Sequence, residues 1–202
     1  MHWDQFKHLY KQHFKVNADV QRDLIDGDFD LLKYKLQCPD CRSGRDGARV
    51  NGVQQIVTFK NVLCPHLRYE CGSTNVWRGM LELLQIFHDS RNNVRKLWGM
   101  GLLLGFLEFE EVDNLLAKHK SALIMRLSFV TGGTICFTVK STAHTIDANA
   151  TKPLHLEPLD LKRLQQKCLK DYLRDIADAE KVLFMCFNGV SYGIVTRVAD
   201  KG

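Results

Sequence analysis

Nothing in this sequence is apolar for long enough to cross a bilayer, because its hydrophobic stretches fall well short of the roughly 20 residues a membrane helix needs. The amino terminus, Met1-His-Trp-Asp-Gln-Phe6, lacks the apolar core of a secretion signal. Blocks of like charge are absent too: 28 Lys+Arg are interspersed with 23 Asp+Glu for a net +5, a mild attraction to acidic partners without the footprint of a nucleic-acid binder. The seven cysteines are odd in number and irregular in spacing, which suits reduced thiols better than a disulfide framework. These absences predict a globular protein of the cytoplasm and nucleus, with no membrane contact and no direct binding to nucleic acid.

Catalytic patterns are missing as well. The eight histidines and the 23 acids form no spaced pair or nucleophile constellation, so neither an enzyme nor a cofactor is expected. Gly99, Gly101 and Gly105 do not follow a nucleotide-binding fingerprint, and no strand-to-helix crossover surrounds them.

What is present is secondary-structure periodicity, with 45% hydrophobic residues to build a core. Trp3, Phe6, Tyr10 and Phe14 recur at helical spacing over residues 3–15. A second helix is predicted from Asp28, whose side chain can cap the free amides, to Leu36. A third, opened by Ser73 or Thr74, puts Trp77, Met80, Leu81, Leu84 and Phe87 on one inward stripe. A fourth covers about Glu108 to Lys118, with Phe109, Val112, Leu115 and Leu116 inward, and Asp160 opens a fifth with Leu164, Cys168, Tyr172 and Ile176 inward. Residues 141–153 are too polar for core.

Two β-like runs, 121–130 and 135–140, flank Thr131-Gly-Gly-Thr134 and predict an antiparallel pair reversed at the glycines. A second hairpin follows, 181–187 and 190–198 about Asn188-Gly189. Arg126 is the anomaly, a lone charge in an apolar strand that shares a face with Ile124 and Ser128. A guanidinium so placed is costly unless an anion meets it, which leaves two readings: an internal carboxylate, or an acidic ligand. A separate cluster, Cys38, Cys41, Cys64 and Cys71 with His66, offers ligand types that zinc accepts, although only Cys38-Pro-Asp-Cys41 has knuckle spacing.

The order helix, Arg-bearing strand, loop, strand, helix resembles a Src-homology-2 (SH2) domain, and more narrowly that of the STAT family, the signal transducers and activators of transcription. Trp98…Gly101…Gly105-Phe106 is similar to the family's Trp-x-x-Gly-x-x-x-Gly-Phe, and Leu123-Ile-Met-Arg-Leu-Ser128 to its Phe-Leu-Leu-Arg-Phe-Ser strand. Pro158-Leu-Asp-Leu161 through Ile176 resembles its late helix. Trp3…Phe14…Arg22-Asp-Leu24…Leu32-Lys-Tyr-Lys-Leu36 and Phe59-Lys-Asn61…Val76-Trp77 resemble the helical linker domain that precedes it. The likeness spans about residues 3–187.

This resemblance implies an α+β chain, with an all-helical linker over residues 1–96 followed, over 97–202, by an SH2-like antiparallel sheet flanked by two helices and ending in a hairpin. It implies a phosphotyrosine reader in cytokine-type (JAK-STAT) signalling and transcription regulation, whose partner is a phosphotyrosine-containing receptor or STAT-like protein, bound as a homo- or heterodimer. Arg126 and Ser128 correspond to the family's phosphate-holding pair, and Thr131 to a second hydroxyl of the loop. Phe109 stands where the family has a lysine; loss of such a contact costs about 1.5–3 kcal/mol, with Lys140 as a substitute base. Tyr192 is the candidate phosphosite. The coiled-coil and DNA-binding domains of the family have no counterpart here. The alternative is a degenerate module acting as a phosphate-independent adaptor or a regulator of full-length relatives, and a third reading is a zinc-stabilised adaptor.

Overall fold

The computed structural model describes residues 1–36, 56–63, 75–129, 131–141, 152–180, 184–187 and 190–193. Its first half is helical. Helix α1 (Trp3–Ala18) buries Phe6, Tyr10, Phe14 and Ala18, one residue per turn, and stops where Asp19 adopts a left-handed conformation. Its aromatic stripe meets Phe29 on α2 (Asp28–Leu36), with Tyr10 and Phe29 packed edge to face at 5.8 Å. A short α3 (Phe59–Leu63) precedes α4 (Val76–His88), which is capped by the Asn75 side chain accepting from Arg78 N at 2.7 Å. The expected inward stripe on α4 is corrected. Met80, Leu84 and Phe87 are buried with Val76, Leu83 and Ile86, but Trp77 is 40% and Leu81 43% exposed. The buried arc is centred on Leu83 and Phe87, and positions 77 and 81 fall off its edge. A 3-10 turn at Ser90–Asn92 then leads into α5 (Val94–Gly99).

The second half is a mixed sheet with helices. Strand β1 (Leu103–Phe106) leads to α6 (Phe109–Ala117), and then come β2 (Ala122–Ser128), β3 (Thr134–Lys140) and the two-residue β4 (Leu154–His155). Helices α7 (Leu161–Gln166) and α8 (Leu169–Glu180) precede β5 (Phe184–Phe187) and β6 (Val190–Gly193). Among the described residues the strand order is β4-β3-β2-β5-β6, with β1 also on β2. The α+β class holds, but the sheet is not purely antiparallel: β1 and β5 both pair with β2 in parallel, while β2–β3, β3–β4 and β5–β6 are antiparallel. The two predicted hairpins are present, the first reversing through Gly132 at φ +105 and the second pairing Phe187 with Val190. The single late helix is in fact two, because Lys167 is extended between them; Asp160 caps the first by accepting from Arg163 N at 2.8 Å. The buried residues on this pair are Leu164, Leu169, Leu173 and Ala177, with Tyr172 and Ile176 only partly buried and Cys168 intermediate.

Period two gives the sheet two faces. Leu123, Met125, Leu127, Ile135, Phe137 and Val139 join one core cluster with α1, α2, α4, α5, α7 and α8. Ala122 and Ile124 form a smaller cluster with Val112 and Leu116 of α6 on the opposite face. Among the described residues the main cluster joins side chains from Phe6 to Ala177, drawn from both halves of the chain. None of the described helices is long and apolar enough to cross a membrane.

Two charged residues of the first half close the outer edge of β1. Arg22 stacks 3.6 Å from the Trp98 ring and donates to the carbonyls of Trp98 (2.8 Å) and Leu103 (2.9 Å), while Trp98 Nε1 donates back to Arg22 O at 2.9 Å. Asp28 does not cap its own helix as the sequence suggested. Its buried carboxylate accepts from Ile25 N and Phe106 N, each at 2.7 Å, and a Cβ on Gly105 would overlap it. Burial raises the Asp28 pKa, against the two amides and Arg22, which lower it. Asp28→Ala leaves two amide donors without an acceptor and is expected to destabilise by roughly 2–5 kcal/mol. Asp28→Asn, which turns an NH2 group toward one of those donors, is expected to fall between alanine and wild type in urea unfolding.

Candidate functional site

Arg126 lies at the middle of β2, opposite Cys136 of β3, on the face that carries α6. The polar positions of both strands gather there: Ser128 is opposite Thr134, and Ile124 opposite Thr138. Arg126 is 3% exposed. Its guanidinium forms no ion pair with a described residue, and its buried Nε has no hydrogen-bond partner among them. Burial lowers its pKa, while the Cys136 thiol and then the Glu108 and Asp113 carboxylates act in the opposite direction through space. The internal-carboxylate reading of this arginine therefore finds no direct partner in the described structure.

A ring takes that place. Glu108 and Glu111 form a capping box that starts α6 at Phe109 and aims its first side chain back toward the sheet. The Phe109 ring centroid stands 4.9 Å from Arg126 Cζ. The same ring meets His155 of β4 edge to face at 4.5 Å. His155 in turn shares a 2.8 Å hydrogen bond between its Nδ1 and Thr138 Oγ1, and its Nε2 is 3.6 Å from Asp113 Oδ1. Burial lowers the His155 pKa below 6.5 and Arg126 lowers it further, while Asp113 raises it. The arrangement is a buried cation with spare donor capacity, roofed by one aromatic ring and flanked by an imidazole and hydroxyls. Such a set offers donors that suit an anion.

The other sequence-derived residues are distributed as follows. Ser128 is buried on the same face as Arg126, at the loop end of β2. Thr131 is exposed in the loop, which is fastened to α4 by Gly133 N donating to Glu82 Oε2 at 2.8 Å. Lys140 is not brought to the arginine. It pairs with Ala122, four residues or about 13 Å along β3 from Cys136, and its ammonium donates to the last carbonyls of α6, Leu116 (3.3 Å) and Ala117 (3.4 Å). Tyr192 is paired with Met185 inside β6, so its backbone is committed to the hairpin. Cys38, Cys41, Cys64, His66 and Cys71 lie outside the described residues.

Sequence reasoning missed Asp113, Thr138 and His155. The alternation Thr134, Cys136, Thr138, Lys140 against Ile135, Phe137, Val139 did mark a polar face on β3. A concavity of about 550 Å³ lies elsewhere, beside Arg22, Asp28, Gly105, Leu115 and Lys118. Its buried Asp28 and half-buried Arg22 are already committed to backbone groups of β1 and its neighbours, which leaves little for a ligand.

No family model matches this chain, and no curated protein matches it.

The His155 environment yields a signed expectation. Asp113→Asn removes the raising influence and lowers the imidazole pKa further, whereas Arg126→Ala removes a lowering one and raises it. Histidine Cε1 proton shifts followed against pH read both. In wild type this imidazole subtracts stability as pH falls through 6.5 toward its lower folded value, because the unfolded chain takes up the proton first.

Proposed function

We propose that the chain is a non-enzymatic phosphotyrosine-binding signalling protein, an SH2-like module joined to a STAT-like helical linker. It acts by associating with phosphotyrosine-bearing partners in cytokine-type signalling in the cytoplasm and nucleus. One observation supports the reading: an arginine at mid-strand with no carboxylate partner and an unsatisfied Nε among the described residues; its near-complete burial behind Phe109 counts against it. A phosphotyrosine supplies close to two negative charges and three acceptor oxygens, which a planar guanidinium meets in bidentate fashion. The mixed sheet with a helix packed on each face, and Ser128 on the Arg126 side, supports the resemblance set out above.

A second reading is favoured by a specific contact. With the Phe109 ring over Arg126, the module can serve as a phosphate-independent adaptor or as a regulator of full-length relatives.

Titration of a phosphotyrosine peptide into wild type and Arg126→Ala separates them. The first reading expects the variant to bind about ten- to a hundredfold more weakly, the worth of a charge-assisted contact. Equal binding by both proteins would falsify it.

A further inference from the structure

We propose that Phe109 is a built-in cover for Arg126: its ring occupies the space over the guanidinium that a ligand must enter, so the site opens only when that ring moves aside.

Three observations converge on this. The arginine is almost wholly buried, yet the ring above it is 47% exposed, so the cover itself faces solvent. The ring engages the cation through its π face and contributes no hydrogen-bond acceptor, which leaves the buried Nε unsatisfied. Such a contact holds the charge without meeting its donors, and an anion that supplied oxygens would be the better partner. Finally, Phe109 is the first residue of α6, carried on the helix's opening turn, where a side chain can swing without disturbing Val112 or Leu116 in the small core below. His155 forms the other jamb, packed against the ring and tied to Thr138, so the outward path is away from β4.

The consequence for recognition follows. A ligand carrying both a ring and a dianion replaces the stacking it displaces, whereas a bare phosphate forfeits it. Phe109 therefore lowers affinity for every anion but penalises small ones most. This regulation of binding rests on the phosphate-reading proposal, whereas the covering of Arg126 does not.

The test separates the two. Arg126 in the intact protein is labelled with phenylglyoxal, a guanidinium-selective dicarbonyl, and its rate is read by peptide mass spectrometry against the partly exposed, ion-paired Arg95 in the same digest. In Phe109→Ala the Arg126 rate is expected to rise between about threefold and thirtyfold, the span of a cation–π contact in free energy, with Arg95 unchanged. A rise below about twofold, near the weak end of such contacts, overturns the cover. Phe109→Leu, which keeps an apolar side chain without a π face, carries the same comparison should the alanine variant not fold. Phenyl phosphate and inorganic phosphate are then titrated into each protein. Tighter binding by the variant, with the larger gain for inorganic phosphate, supports the cover as a regulator. Weaker binding makes Phe109 part of the ligand's own surface and overturns that role. Faster labelling with no phosphate binding by any protein leaves the cover standing and removes the phosphate-reading proposal.

Discussion

The Asp28 carboxylate is the contact on which the rest of this architecture depends. Strand β1 lies on one side of β2, and its other side would show bare peptide groups to solvent. Asp28 accepts from Phe106 N, and Arg22 donates to Leu103 O, so two side chains from the helical half take the role of a missing neighbouring strand. The Gly105 position is kept free of a side chain for this approach. With β1 fixed, the chain leaves it in the direction that starts α6 over the polar face of β2. The position of Phe109 above Arg126 thus traces back to an acid 81 residues earlier in the chain.

The two faces of the sheet divide the work. One is apolar and continuous with the helical core, which provides rigidity. The other carries only a small cluster, Val112, Leu116, Ala122 and Ile124, and beside it a row of buried hydroxyls, a thiol and a guanidinium. A buried charge is tolerated there because one side of it is an aromatic face and the neighbouring carboxylates, though not in contact, lie close enough to favour the charged form. Its buried Nε is the one donor there that neither the ring nor a described residue meets.

Much of this was legible in the residues. The four aromatic positions of α1, the β2–β3 reversal at its glycines, the hairpin about Asn188-Gly189 and the standing of Arg126 as an outlier in β2 all follow from local pattern. What the pattern could not supply is anything decided at long range. Parallel pairing of β1 and β5 with β2 has no turn to announce it. The exposure of Trp77 depends on which arc of α4 its neighbours cover, and the two-residue β4 is too short to show a period. His155 and Asp113 reach the site from β4 and α6, and no spacing relates them to Arg126. Lys140 was credited from chemistry alone, and the geometry assigns it to the end of a helix.

The core that both halves share among the described residues has a consequence for how the chain can be taken apart. Cutting near residue 96, where the sequence invites a boundary, strips Arg22 from one face of Trp98 and leaves the rim of β1 as an open template for strand addition. In that sense the amino-terminal helices stand in for a strand, and the sheet's outer rim is finished by residues that precede it in the chain.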